Sequence, residues 1–192
     1  MESPHEAVME SIPPQFYRVQ HNKSFTSSSS TGGFESPGHY HMSYSFWITK
    51  QKLESHLHWG ACPNEPTPFI SVFSDFGKLY AGLAKYICTF YIFLLTFAAR
   101  ADARARYLRN SNTGVFIAKI DTSLLRLQIL EYEVDGRVVR LPVWEDEESG
   151  MTFISTSAVR MHLGVDSSIS QVSEWFALDY ILYSRIRGIE HY

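Results

Sequence analysis

Short apolar runs with aromatic or β-branched members recur along the chain and predict β-strands. The clearest are residues 15–20 (QFYRVQ), 69–73 (FISVF), 114–120 (GVFIAKI) and 178–183 (LDYILY). Runs of this length and composition, bounded by turn-forming residues, are typical of strands with a buried face. We expect 69–73 to be a buried strand and 178–183 to be the last strand of the chain.

A hairpin is predicted around Asp135 and Gly136. Two apolar-rich runs, 129–134 and 137–143, flank this dipeptide. Asp-Gly suits a two-residue turn, because both central residues of that turn adopt positive φ. The pair is the strongest local signal in the sequence.

Two helices follow from apolar spacing and from capping residues. Residues 49–59 place Leu53 and Leu57 on one helical face, with Thr49 as the N-cap. Residues 155–163 form a second short helix that Gly164 ends. About six strands with two or three helices, in no regular alternation, predict an α+β fold.

The remaining segments are predicted to be loops. Residues 1–14 are polar and end in two prolines, so we expect a flexible lead-in before a single domain over 15–192. The Ser/Gly-rich stretch 24–38 predicts a mobile loop. The stretch 62–68 contains three prolines, and 144–150 is predicted to be an acidic surface loop.

The longest apolar run, 79–99, is open to three interpretations. Its uninterrupted part, 86–99, lies between Lys85 and Arg100 and is shorter than the roughly 20 residues that a spanning helix needs. A core helix is therefore favoured over a membrane segment. The third interpretation is that the patch is translated from an unspliced AT-rich stretch, because it fits neither a helical nor a strand period.

Composition and charge exclude some classes of function. The net charge is −3, so we expect no nucleic-acid partner that is held mainly by phosphate contacts. Cys62 and Cys88 form neither a metal-ligand spacing nor a disulfide framework, which predicts reduced thiols in the cytoplasm. Two His-x-His pairs, at 39–41 and 56–58, lack the further ligands of a zinc site, and we expect no metal.

Chemistry-bearing residues lie on three predicted strands. The first strand contains Arg18, the second contains Ser71 and is followed by a helix, and the last contains Asp179. In order and character these strands resemble ADP-ribosyltransferases of the arginine–serine–glutamate class, and fungal domains of that fold look most similar. The resemblance covers about residues 16–186 and implies a split β-sandwich with a few flanking helices.

The resemblance also implies roles for individual residues, with NAD as the substrate. Arg18 would hold a phosphate, for which its planar pair of donors is suited. Ser71 would brace the catalytic acid or the nicotinamide ribose, and Ser74 would lie at the site or cap a helix. Tyr17 and Phe73 would wall the nicotinamide.

Asp179 departs from the family pattern, which has glutamate at this position. A carboxylate there would stabilise the positive charge that forms on the ribose as the nicotinamide bond breaks. Aspartate is one methylene shorter, and a misplacement of about 1 Å can cost on the order of 10²-fold in rate. Ala177 replaces a second acidic or amide residue, and Glu174 is the nearest other acid, expected to lie outside the strand. An active transferase or NAD glycohydrolase, an inactive interaction module of the same fold and a membrane-anchored protein are the three hypotheses.

Overall fold

Within the residues that the structure describes, eight antiparallel strands form a main sheet, and three short strands form a second sheet. The computed structural model describes residues 11–22, 24–38, 43–57, 66–74, 115–168 and 174–191. The strands are β1 (Gln15–Gln20), β2 (Ser27–Ser29), β3 (Gly33–Glu35), β4 (Phe69–Ser74), β5 (Phe116–Asp121), β6 (Arg126–Val134), β7 (Arg137–Glu145), β8 (Thr152–Ser155), β9 (Glu174–Leu178), β10 (Tyr180–Ile181) and β11 (Ile186–His191). The helices are α1 (Tyr44–Trp47), α2 (Lys50–Leu57) and α3 (Thr156–Leu163).

The order of strands in the main sheet is β11-β5-β1-β4-β9-β8-β7-β6, and the small sheet has the order β10-β3-β2. Every described pairing of strands is antiparallel. Together with the helices, this confirms the predicted α+β class.

The two faces of the main sheet bury different cores. On one face, Phe16 and Trp175 pack with Phe34 of the small sheet, and we call this the sheet-covered face. On the other, Phe176 packs with Leu53 of α2 and with residues of α3, and we call this the helix-covered face. Alternate residues of a strand point to opposite faces, so a strand covered on both sides is apolar throughout.

The predicted hairpin and helices are confirmed. Asp135 and Gly136 have φ values of 51° and 72°, as the two-residue turn between β6 and β7 requires. Helix α3 is capped by the Ser155 hydroxyl, which accepts from the Ala158 N–H at 3.0 Å, and it ends at Gly164 with φ 67°. The Thr49 hydroxyl accepts from the Lys52 N–H at 3.4 Å at the start of α2.

The prediction of a loop over 24–38 was wrong for its central part, which forms the hairpin of β2 and β3. Gly33, at φ 88°, follows the turn, and the Phe34 side chain is buried in the core at 1% exposure. One buried aromatic residue therefore anchors a hairpin whose other residues are small and polar. The serine-rich composition conceals this anchor.

The prediction of one last strand over 178–183 was also wrong. Asp179 has φ 62° and interrupts it, so β9 ends at Leu178 and β10 crosses to the small sheet. The last described strand is β11. Glu174 is the first residue of β9 and not a residue outside it. Because both faces of β9 are buried, its sequence lacks the alternation that marks a strand with one buried face.

The segment 144–150 is only partly a surface loop. Trp144 and Glu145 belong to β7, and Asp146 is 2% exposed, where it accepts two hydrogen bonds from Arg185. The estimate of about six strands was low, since the described residues form eleven.

The apolar run 79–99 and the helix predicted to follow the strand at 69–73 lie outside the described residues. Among the helices that the structure does describe, none is long and apolar enough to cross a membrane. Most of the predicted lead-in, 1–10, is also outside the described residues. Close to β1, Ile12 packs against the core, and the Pro13 carbonyl accepts from the Thr122 hydroxyl.

Candidate active site

Strands β1 and β4, which carry Arg18 and Ser71, and strand β9, which ends one residue before Asp179, are neighbours in the main sheet, in the order β1-β4-β9. Strands β4 and β9 pair at five positions, from Phe69↔Leu178 to Phe73↔Glu174. Strands β1 and β4 pair at only two positions, Phe16↔Ser74 and Tyr17↔Phe73. The ladder between β1 and β4 therefore stops at Arg18.

The Arg18 guanidinium bridges the two strands where their ladder stops. Its Nη1 donates to the Ser71 carbonyl at 2.8 Å, and its Nη2 donates to the Thr26 hydroxyl at 3.0 Å and to Gln20 Oε1 at 3.3 Å. Arg18 is 8% exposed. A buried cation is stable only when acceptors surround it, and these three oxygens supply part of that set.

The Ser71 hydroxyl points away from Arg18 and towards helix α2. By strand alternation, Arg18 lies on the sheet-covered face with Phe16, while Ser71 lies on the helix-covered face with Phe73. On that face His56 Nε2 lies 3.1 Å from Ser71 Oγ. Arg18 and Ser71 are thus in contact, but through the Ser71 carbonyl rather than its hydroxyl.

His56 is a site residue that the sequence analysis missed. Its Nδ1 lies 2.9 Å from the Thr67 hydroxyl, and its ring packs against Phe69 and Phe176 with centroid separations of 5.4 and 5.5 Å. Burial, with a smaller effect from the positive charge of Arg18, lowers the pKa of His56 to about 3. The signal was its spacing from Leu53 and Leu57, which puts all three on one face of α2.

The other three predicted site residues are divided between the two faces of the sheet. Tyr17 and Phe73 are directly opposite each other on the helix-covered face, where Tyr17 packs against Val19 and Ile117. Ser74 is opposite Phe16 and therefore shares the sheet-covered face with Arg18. The structure thus groups Tyr17 and Phe73 with Ser71, and Ser74 with Arg18.

Asp179 joins the two sheets. Its N–H donates to the Pro68 carbonyl at 2.7 Å, and its carbonyl accepts from the Ser36 N–H at 2.7 Å. Burial raises the pKa of its carboxyl. Burial also raises the pKa of Tyr44 and of Tyr180, and the negative charge of Asp179 adds to both shifts. Within the described part of the chain, this carboxyl has no hydrogen bond or ion pair.

Asp179 is separated from Ser71 along the strand. Its backbone binds Pro68, which is three residues before Ser71, so the two levels of the sheet are about 10 Å apart. The structure brings Arg18 and Ser71 into contact and puts Asp179 at the end of the neighbouring strand.

Two residues of β9 bear on whether an acid other than Asp179 could act at the site. Ala177 lies opposite Ile70 and Phe153 in the apolar core, so an acid at 177 would be buried among hydrophobic side chains. Glu174 is 1% exposed and lies opposite Phe73 on the helix-covered face.

One shallow pocket of about 190 Å³ lies beside the small sheet. Its lining includes Ser29, Phe34, Phe116 and Ile189, and it contains none of the predicted site residues. Of the histidines in the His-x-His pairs, only His56 is within the described residues, and those residues include no group of three or more side chains suited to a metal.

Comparison with known proteins gives one result. A family model described as "Domain of unknown function (DUF7587)" matches residues 11–149, which is 139 of the 192 residues. The matched region includes Arg18, His56 and Ser71 and ends before Asp179. No curated protein and no solved structure matches the chain.

Proposed function

The chain belongs to the DUF7587 family, and we propose that it is a diverged NAD-binding domain of the ADP-ribosyltransferase type, acting as a transferase or an NAD glycohydrolase. The observation that carries the proposal is the order β1-β4-β9, with Arg18 at the end of the short β1–β4 ladder. In this proposal the main sheet and the small sheet are the two parts of a split β-sandwich. NAD is the substrate, and the acceptor is left open.

Arg18 is the proposed phosphate anchor. Its guanidinium lies between the main sheet and the hairpin of β2 and β3, with Thr26 and Gln20 as polar neighbours. A bound phosphate would replace one or more of these acceptors with its own charged oxygens, and hydrogen bonds from Arg18 to charged oxygens are stronger. Ser71 supports this arrangement through its carbonyl.

Asp179 is the proposed stabiliser of the transition state. Loss of nicotinamide leaves positive charge on the ribose, and a half-buried carboxylate interacts with that charge more strongly than an exposed one does. In NAD a ribose ring separates the phosphate from the bond that breaks. Arg18 on β1 and the Asp179 carboxylate after β9 could therefore bind different parts of one NAD molecule without contacting each other.

The test is the release of nicotinamide from NAD by the purified full chain. We expect slow release that Arg18→Ala and Asp179→Asn abolish, and that Asp179→Glu raises. Arg187→Ala is the matched control, because Arg187 is an exposed arginine that pairs with Asp121 outside the proposed site. Absence of release from both wild type and Asp179→Glu would overturn the catalytic proposal.

A second candidate is an interaction module that keeps the fold without the chemistry. It is favoured by the three hydrogen bonds that Arg18 donates to protein acceptors and by aspartate in place of glutamate at 179. Titration calorimetry with NAD separates the two candidates. Heat of binding that Arg18→Ala removes supports the NAD site, whereas no binding to a folded wild type supports the interaction module.

We also propose that the protein is cytoplasmic. The spacing of Cys62 and Cys88, which suits neither a disulfide framework nor a metal, supports this compartment. Cell fractionation with the full chain tests it. Recovery in a detergent-requiring membrane fraction would favour the anchored alternative, with 79–99 as the segment to delete.

A further inference from the structure

A chain of polar contacts connects helix α2 to the proposed NAD site. Thr67, His56 and Ser71 are linked through the two ring nitrogens, at 2.9 and 3.1 Å, and the Ser71 carbonyl accepts from Arg18. We propose that His56 is a positioning residue. As the neutral Nδ1–H tautomer, it accepts a hydrogen bond from the Ser71 hydroxyl at Nε2, and this bond fixes β4 at the residue whose carbonyl Arg18 binds. The consequence for ligand binding rests on the proposed function, while the tautomer itself does not.

The geometry also resembles an activated nucleophile, but the chemistry of the residues opposes that role. A serine, a histidine and a third polar group in line form the pattern of nucleophilic catalysis. Here the third group is the neutral Thr67 hydroxyl, which cannot stabilise an imidazolium as a carboxylate does. A pKa of about 3 for His56 also lies far below neutral pH, so the imidazole is a weak base. Positioning remains as the role that these contacts support.

The charge of Arg18 selects between the two neutral tautomers. In the Nδ1–H form the imidazole lone pair lies on Nε2, on the side of Ser71 and Arg18. The negative end of the ring dipole then faces the guanidinium, which is favourable, and the Nε2–H form reverses it. Nδ1–H therefore donates to the Thr67 hydroxyl, and the Ser71 hydroxyl donates to Nε2.

Ser71 is consequently held from both sides of the sheet. Its hydroxyl is bound beneath α2 on the helix-covered face, and its carbonyl is bound by Arg18 at the end of the β1–β4 ladder. The ring of His56 is itself confined by the edge contacts with Phe69 and Phe176. Movement of α2 would shift the carbonyl on which the Arg18 guanidinium depends.

The tautomer is tested by long-range ¹H–¹⁵N NMR of the histidine rings in the full-length wild type at pH 7. We expect a protonated, pyrrole-type Nδ1 and an unprotonated, pyridine-type Nε2 for His56. Ser71→Ala should move the Nε2 signal, and Thr67→Val should move the Nδ1 signal. Observation of an Nε2–H tautomer, or of an imidazolium, would overturn the proposal whatever the protein does with NAD.

The positioning effect is tested by NAD titration of His56→Phe and His56→Gln, with His162→Gln as the control on the exposed surface of α3. Phenylalanine keeps the ring contacts but loses both hydrogen bonds, and we expect NAD to bind roughly tenfold more weakly. Glutamine can donate and accept hydrogen bonds, so His56→Gln should recover most of the affinity for NAD. The Gln variant is the one to compare with wild type if the Phe variant does not fold. Unchanged NAD binding by a folded Phe variant would refute positioning, whereas failure of wild type to bind NAD, with the expected tautomer present, would refute only the proposed function.

Discussion

At the scale of single residues, the backbone conformation at position 179 favours aspartate over glutamate. Its φ of 62° belongs to the left-handed region, which aspartate and asparagine enter more readily than other residues with a side chain. We therefore expect Asp179→Asn to leave the free energy of unfolding within about 0.5 kcal/mol of wild type, and Asp179→Glu to lower it by about 1 kcal/mol. Urea unfolding of the three proteins measures this. Equal stability of the Glu and Asn variants would contradict the argument.

The titration of His56 predicts how stability depends on pH. Burial lowers its pKa from 6.5 to about 3 in the fold, so between these values the unfolded chain binds the proton and the folded chain does not. The free energy of unfolding should therefore fall with falling pH below 6.5, by up to about 1.4 kcal/mol per pH unit from this residue alone. Partial burial also lowers the pKa of His162, which lies on the surface of α3, and this adds a contribution of the same sign.

Urea unfolding at pH 7.5, 6.0 and 5.0 measures the slope. Over this range the carboxyls of Asp121 and Asp146 add little, because the unfolded-state value of 3.8 and their lower pKa values in the fold all lie below pH 5. His56→Gln should flatten the curve, while His162→Gln should leave most of the slope in place. Parallel curves for wild type and His56→Gln would show that folding does not lower the pKa of His56, and would contradict the prediction.

At the scale of elements, local signals predicted the structure where they are strong. The Asp135-Gly136 turn, the Ser155 cap and the end of α3 at Gly164 depend on residues adjacent in sequence. The predictions at 24–38 and 178–183 failed because long-range contacts decide them. Phe34 joins a core formed by distant strands, and Asp179 ends β9 while its backbone binds Pro68 and Ser36.

The candidate site was likewise predictable only where local sequence signals decide the structure. The strands that carry Arg18 and Ser71 were predicted from local composition, and the structure has them side by side, with β9 next to β4. Which atoms meet did not follow, because the face of each side chain depends on the register between strands. Arg18 contacts the carbonyl of Ser71, and the hydroxyl of Ser71 is bound by His56, which comes from a helix.

At the scale of the whole molecule, the small sheet depends on a close backbone approach at Gly33. A Cβ added there would lie 2.0 Å from the Ile181 carbonyl oxygen, and φ is 88°. At Gly136 φ is also positive, at 72°, but a Cβ would meet nothing within 4 Å. A side chain would therefore strain the backbone at both positions, but it would cause a steric clash only at position 33.

We expect Gly136→Ala to lower the free energy of unfolding by about 1 kcal/mol, from backbone strain alone. Gly33→Ala should cost at least about 2 kcal/mol more, because β3 must separate from β10 to relieve the clash. Hydrogen exchange locates the effect, since the amides that pair Phe34 with Ile181 should lose protection in Gly33→Ala and keep it in Gly136→Ala. Similar losses of stability in the two variants would mean that the hairpin of β2 and β3 moves without cost, and that Arg18 would then lose Thr26 as a fixed neighbour.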